Sequence, residues 1–142
     1  MATPPPAAVR AVLRLLLVVT LVNYVAQIPY YLVLYYLPHG TAPSARSVAL
    51  LGLTLAWFLL GYTALRARRG WGRPVLLGFL CVEALFYLRA FLSGAVAHQL
   101  DHPDVVVRAV FVIGYASGAT AAAAAYLLIR YRGALLDPPP GG

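Results

Sequence analysis

The stretch Asn23–Tyr36, N-Y-V-A-Q-I-P-Y-Y-L-V-L-Y-Y, sets two amides, a proline and five tyrosines inside an apolar run. It belongs to a longer apolar segment, residues 9–37, which is long enough to cross a hydrocarbon layer of about 30 Å as a helix. Pro29 predicts a kink, because it leaves the carbonyl of Val25 without its helical donor. Polar groups this deep need partners on other helices, so the stretch predicts the polar spine of a helix bundle.

The composition of the chain explains why a bundle in a membrane is expected. Of its 142 residues 62% are hydrophobic and 11% are charged, with a mean hydropathy of +0.80. Soluble domains are about half apolar and a quarter charged, so a chain of this length has no way to bury so much apolar surface. We therefore predict an all-α integral membrane protein with a single four-transmembrane-helix bundle, residues 9–132, between disordered tails at 1–8 and 133–142. The predicted spans are 9–37, 47–65, 74–97 and 105–129.

The arginines predict the orientation of this bundle. The formal charge of +7 comes from eleven arginines, no lysine and four acids. Most of the arginines flank one end of the spans: Arg10, Arg14, Arg66, Arg68, Arg69, Arg73, Arg130 and Arg132. The positive-inside rule places that end, and with it both termini, in the cytoplasm. Basic charge arranged in this way indicates a lipid bilayer as partner rather than nucleic acid. The lack of lysine and the many alanines point to a bacterial source, hence to the bacterial inner membrane.

Glu83 is the most informative single residue, because an acid inside a span is a functional-site hypothesis by default. Counting along the helices places Asn23 and Glu83 both roughly 12–13 Å from the arginine-rich side. Gln27 and Tyr87 both come out at roughly 18 Å. Tyr31 shares a helix face with the two amides by i,i+4 spacing. These residues predict a mid-membrane polar cluster, which either joins the helices by hydrogen bonds or binds a ligand or proton.

Arg89, the other charge in the third span, lies six residues after Glu83. Six residues rotate a helix by about 600°, so the two side chains point apart and an ion pair within the helix is not expected. We expect Arg89 to extend toward the outer interface or to contact Tyr30 or Tyr31 through a cation–π interaction. Binding of an anionic headgroup by Arg89 is the third interpretation.

Gly114 and Gly118 provide a second kind of contact in the fourth span. Small residues at four-residue spacing allow two helices to approach closely in a bilayer. The pair therefore predicts close helix packing, either with a membrane protein partner or between two copies of this chain.

Metal and cofactor chemistry receive little support from the sequence. His98 and His102 would share a face if the third helix continued past them, and His39 in the other external loop could add a ligand, so these three are weak metal candidates. Cys81 is the only cysteine, which excludes an internal disulfide and a CxxC pair. No phosphate-binding loop, nucleophile elbow or dinucleotide motif is present. We expect no catalytic residue and no cofactor.

Three function classes stay open at this point. The first is a non-catalytic bundle, either an accessory subunit or a binder of lipid or another small ligand. The second is a proton-coupled transporter acting as an oligomer: a four-span chain with one deep glutamate resembles the small multidrug resistance transporters, whose essential glutamate lies in the first span rather than the third. The third is a small membrane enzyme, since size and span number are similar to those of the DoxX-like proteins.

Overall fold

The computed structural model describes residues 6–30 and 42–132, except for the side chains of Pro29 and Tyr30. All regular structure in these residues is helical, which confirms the all-α prediction. Five helices follow one another: α1 (Ala7–Tyr30), α2 (Ala45–Arg66), α3 (Gly72–Leu92), α4 (Ala95–Leu100) and α5 (Val105–Arg130). The predicted tails lie outside the described residues except for residues 6–8, of which Ala7 and Ala8 already belong to α1. The first span beyond Tyr30 also lies outside them.

The four long helices are long and apolar enough to cross a membrane. They contain 24, 22, 21 and 26 residues, so each reaches about 30 Å or more at 1.5 Å per residue. Only 17–22% of the most hydrophobic window of each helix is buried inside the protein. The remaining apolar surface needs a hydrocarbon solvent, as the composition predicts.

The helices run up and down, with α5 packed between α1 and α3, and with α2 packed on the other side of α3. Arg73, at the start of α3, donates hydrogen bonds to carbonyls at the end of α5, which fixes these two helices as antiparallel. We call the end where α1 and α3 begin and α2 and α5 end the arginine end. The opposite end, where α4 lies, is called the amide end.

The arginine end holds a dry apolar core. Its centre is Phe79, whose ring meets those of Tyr24, Trp57 and Phe58 edge to face, with centroid distances of 5.8, 6.0 and 5.2 Å. Leucines and the small side chains of α5 complete this core: Leu13, Leu17, Leu65, Leu76, Leu80, Ala121, Ala124, Ala125 and Leu128. The alanines allow α1 and α3 to lie close to α5, as small residues do between membrane helices.

Arg73 closes the arginine end. Its Nε donates to the carbonyl oxygen of Leu128 at 2.9 Å, and its Nη2 donates to the same oxygen and to that of Ile129, the latter at 3.4 Å. The last carbonyls of a helix have no partner within the helix and carry partial negative charge. The guanidinium therefore caps α5. From the sequence, Arg73 was used only to predict the orientation of the bundle.

The predicted third span, 74–97, is wrong at its end. Helix α3 stops at Leu92, and Gly94 adopts a left-handed backbone with φ of 75°. Glycine takes up this conformation at no steric cost, and the chain uses it to end one helix and begin the short α4. Because α4 then packs on α3 and α5, the break brings Gln99 back over the end of the bundle.

Candidate functional site

The polar contact at the centre of the amide end joins Gln27 of α1 to Tyr87 of α3. The Tyr87 hydroxyl donates to Gln27 Oε1 at 2.8 Å. The tyrosine ring reaches across α5 over two glycines, since a Cβ at either Gly114 or Gly118 would lie 2.7 Å from Tyr87. The predicted close packing through Gly114 and Gly118 thus occurs with α3 of the same chain, and Tyr87 covers the face that self-association would need.

A cavity of about 110 Å³ lies beside this hydrogen bond. Its polar lining comes from Gln27, Tyr87, Gln99 and Tyr115, and aromatic and aliphatic side chains such as Phe86 and Val110 form the rest. The Tyr115 hydroxyl donates to Gln99 Oε1 at 2.7 Å, and the Tyr87 and Tyr115 rings meet edge to face at 5.6 Å. Two amides and two phenols from α1, α3, α4 and α5 therefore surround one small space.

The amide nitrogen of Gln27 is the unusual atom in this lining. Gln27 is only 9% exposed, and its Nε2 has no hydrogen-bond partner among residues 6–30 and 42–132. A buried donor without a partner costs about 1–3 kcal/mol, and the cost rises in a surrounding of low dielectric constant. Such an atom requires an explanation, and an acceptor supplied by a bound molecule is one.

Glu83 lies apart from the Gln27 contact. Near the middle of α3, its Oε1 accepts a hydrogen bond from Ser117 Oγ of α5 at 3.0 Å. Ser117 is fully buried, and Glu83 is half-buried. The predicted cluster is therefore divided into an amide–phenol contact and a carboxylate–hydroxyl contact, because Glu83 and Tyr87 both face α5 but Gln27 reaches only the second of them.

The other predicted polar residues take no part in either contact. Asn23 is half-buried and makes no hydrogen bond with another described residue. Arg89 is exposed, on the side of α3 away from Glu83, as its six-residue offset predicts. Tyr31 lies outside the described residues, as does any contact it makes with Arg89.

The histidines are not assembled into a metal site among the described residues. Helix α4 ends at Leu100, so His98 and His102 do not share a helical face. The Nδ1 of His102 instead accepts from the backbone N–H of Asp104 at 3.1 Å, and Asp104 caps α5. His39 lies outside the described part of the chain.

Three residues of these contacts were missed by sequence reasoning: Gln99, Tyr115 and Ser117. Tyr115 and Ser117 carry a local signal, because a phenol and a hydroxyl lie among the small residues of the Gly114–Gly118 face. Gln99 carries none, since its position depends on the break at Gly94 and on the packing of α4.

An apolar groove of about 380 Å³ runs along the outside of α3 and α5. It is lined by Leu85, Leu88, Phe91, Ala119 and Ala122, among others. Tyr87 and Tyr115 line both this groove and the cavity. The two phenol rings therefore lie between the two spaces.

Comparison of the chain with protein-family models, with curated proteins and with solved structures found no match. Function therefore has to be argued from the chemistry of this site rather than from similarity to known proteins. The resemblance to the small multidrug resistance transporters rests on the number of spans and one deep glutamate, and that to the DoxX-like proteins rests on size and number of spans.

Proposed function

We propose that this chain is a non-catalytic membrane protein whose bundle binds a small membrane-soluble molecule in the cavity at the amide end. The observation that carries the proposal is the buried Gln27 Nε2, which has no partner in the described part of the chain and which lines a space bordered by four helices. A concave, mainly apolar space with a few convergent polar groups is the usual form of a small-molecule site. This is the ligand-binding form of the first function class.

Binding is favoured over catalysis by the kind of side chains in this lining. The described lining residues are amides, phenols and apolar groups, with no carboxylate, imidazole or thiol. Amides and phenols orient a ligand through hydrogen bonds, whereas acid–base or covalent catalysis needs a group that gains and loses a proton or attacks a substrate near neutral pH. Glu83 and His98, which could act as an acid or a base, do not line the cavity.

The test is to find the bound molecule. The full chain is purified in mild detergent, extracted with organic solvent and analysed by mass spectrometry, beside Gln27→Leu and the control Asn23→Leu. The control removes an amide one turn away that does not line the cavity. We expect one small molecule, near one per chain, in the wild type and in Asn23→Leu, and its loss from Gln27→Leu. Equal extracts from all three would contradict the proposal.

A second candidate, a proton-coupled transporter, is favoured by one observation. Glu83 is the only acid within the predicted spans, and Ser117 is its one hydrogen-bond partner among the described residues. An acid at this depth is costly to keep in a bilayer. In proteoliposomes with an imposed pH gradient, Glu83→Gln would abolish substrate-driven proton flux if this function holds. Flux equal to that of the wild type would exclude it.

We also propose that the arginine end faces the cytoplasm and that the membrane is a bacterial inner membrane. The support is the positive-inside rule applied to the arginines at that end. The test is a tag at either terminus, probed by protease in intact cells and in inverted vesicles. Digestion in inverted vesicles alone is expected, and digestion in intact cells would reverse the topology.

A further inference from the structure

The cavity and the groove together describe the shape of an amphiphile. The cavity holds the polar groups and is the more closed of the two spaces, the groove is apolar and open to the outside of the bundle, and Tyr87 and Tyr115 line both. A molecule that enters from the bilayer along α3 and α5 would meet the groove first, and it would reach the amides of the cavity by parting the Tyr87 and Tyr115 rings, which meet at 5.6 Å between the two spaces. A polar head in the cavity and a hydrocarbon chain in the groove match the two linings.

The size of the cavity limits the head. A cavity of 150 Å³ in a soluble protein admits benzene, and this one measures about 110 Å³. A substituted six-membered ring, such as the head of a quinone, is therefore too large. A head of a few heavy atoms fits, as in an amide or a methyl ester.

The charges around the cavity limit the head further. No charged side chain is among the described residues that line it. Arg89, two residues after Tyr87, is exposed, because two residues turn a helix by about 200°. A carboxylate or phosphate in the cavity would thus be buried without a counter-charge, which is far more costly than burial of a neutral group.

The available hydrogen bond decides the chemistry of the head. The unpartnered group is a donor, Gln27 Nε2, so the matching ligand atom is an acceptor. Gln27 Oε1 already accepts from Tyr87, and Gln99 Oε1 already accepts from Tyr115. A carbonyl oxygen is a small, strong and uncharged acceptor that fulfils these conditions.

We infer that the ligand is a single-chain amphiphile with a small uncharged carbonyl head, such as a fatty amide or a fatty ester. Its carbonyl oxygen accepts from Gln27 Nε2, and its chain lies in the groove between α3 and α5. This inference rests on the proposed function, since it names the class of molecule that the cavity binds.

The test uses photolabelling of the full chain in lipid nanodiscs. The probe is oleamide with a diazirine at mid-chain, and labelled peptides are mapped by mass spectrometry. We expect labels on the groove-lining parts of α3 and α5. Gln27→Leu should weaken labelling roughly tenfold, by the loss of one hydrogen bond to a buried donor, whereas Asn23→Leu should leave it unchanged.

A second variant tests the chain of the ligand without touching the interior. Ala122 is exposed and lines the groove, so Ala122→Leu narrows the groove while the fold is retained. Labelling should fall several-fold. Labelling that is the same in Gln27→Leu, Ala122→Leu and the wild type would mean contact from bulk lipid alone and would overturn the inference.

Competition separates this inference from the proposed function. Unlabelled oleamide and methyl oleate should displace the probe, whereas oleate, which is anionic, and decyl-ubiquinone, which has a large ring, should be at least tenfold weaker. Gln27-dependent displacement by oleate or by the quinone alone would overturn the carbonyl class and leave the binding function intact. If no molecule is retained on purification and none of the four competes, both proposals fail.

Discussion

The two ends of this bundle differ in how the same helices meet, since one end is filled by apolar side chains and the other places polar side chains around a cavity. At the arginine end, alanines of α5 face leucines and a cluster of four aromatic rings around Phe79. At the amide end, glycines of the same helix admit the ring of Tyr87, and two amides and two phenols enclose a cavity. The first end is filled, whereas the second retains space and a donor that no other described residue pairs with.

This difference follows from what a membrane allows. Apolar surface is stable in lipid as well as in protein, so packing of the apolar core depends on fit rather than on escape from water. A polar group, by contrast, has no partner in hydrocarbon, so polar side chains must meet one another or a ligand. We therefore expect substitutions at the arginine end to change stability, and substitutions at the amide end to change binding.

The largest expected effect is that of Phe79→Ala. Phe79 is 3% exposed and contacts three other rings, whereas Phe86, which lines the cavity, is 63% exposed. We expect Phe79→Ala to lower the free energy of unfolding by about 3 kcal/mol. This is the low end of the range for buried Phe→Ala substitutions, because transfer of the side chain from lipid into the protein contributes little. Phe86→Ala should lower it by less than about 1 kcal/mol. Unfolding in mixed micelles measures both, and equal losses would remove the contrast between the ends.

A smaller contrast is expected from Gly61→Ala and Gly114→Ala. Each substitution places a Cβ 2.7 Å from a neighbour, but at Gly61 the neighbour is the backbone nitrogen of Leu76, and at Gly114 it is the tip of the Tyr87 ring. Backbone cannot move aside without separating two helices, whereas a ring can rotate. We expect a loss of about 2 kcal/mol for Gly61→Ala.

Gly114→Ala should lower stability by less than about 1 kcal/mol and instead weaken ligand retention, because the Tyr87 hydroxyl is moved from Gln27. Gly52→Ala is the matched control, since a Cβ there has nothing within 4 Å. Because alanine has a higher helix propensity than glycine, Gly52→Ala should leave the free energy of unfolding unchanged or raise it slightly. Thermal unfolding and ligand extraction of the three variants would show whether Gly61 and Gly114 differ as stated.

Replacement of Arg73 by lysine should remove part of the cap at the arginine end. Lysine keeps the charge but loses the forked geometry that reaches two carbonyls. We expect a loss of about 1 kcal/mol, since the site is only half-buried. Arg69→Lys is the control, because Arg69 is exposed. Native-state hydrogen exchange of the last turn of α5 should rise in Arg73→Lys only, and protection equal to that of the wild type would refute the cap.

The smallest expected effect is that of Glu83→Gln. Glutamine retains an oxygen that accepts from Ser117, so we expect a change below about 0.5 kcal/mol in the free energy of unfolding. A double-mutant cycle with Ser117→Ala should give a coupling of about 0.6 kcal/mol, the average for such bonds in membrane helices. A change of several kcal/mol in Glu83→Gln would mean that the carboxylate has partners beyond Ser117.

Counting residues along each helix to estimate depth predicted one of these contacts correctly and another incorrectly. It matched Gln27 with Tyr87, which are in hydrogen-bond contact in the structure. It also matched Asn23 with Glu83, which are not. Counting residues gives only the depth of a side chain in the membrane. A contact also depends on how each helix is turned about its own axis and on the order of the helices around the bundle. That order puts α5, with Ser117, beside Glu83.

The sequence by itself determined the all-helical class, the four segments able to span a membrane and the arginine-rich end. These three features depend on hydrophobicity and charge summed over whole segments, so an error at a single residue has little effect on them. Only the tertiary structure decided that Gly94 ends the third helix early, that Tyr87 fills the Gly114–Gly118 face, and that Gln99 returns over Gln27. The physical reason is that each of these depends on how a few atoms of separate helices meet, and no sum over one segment contains that information.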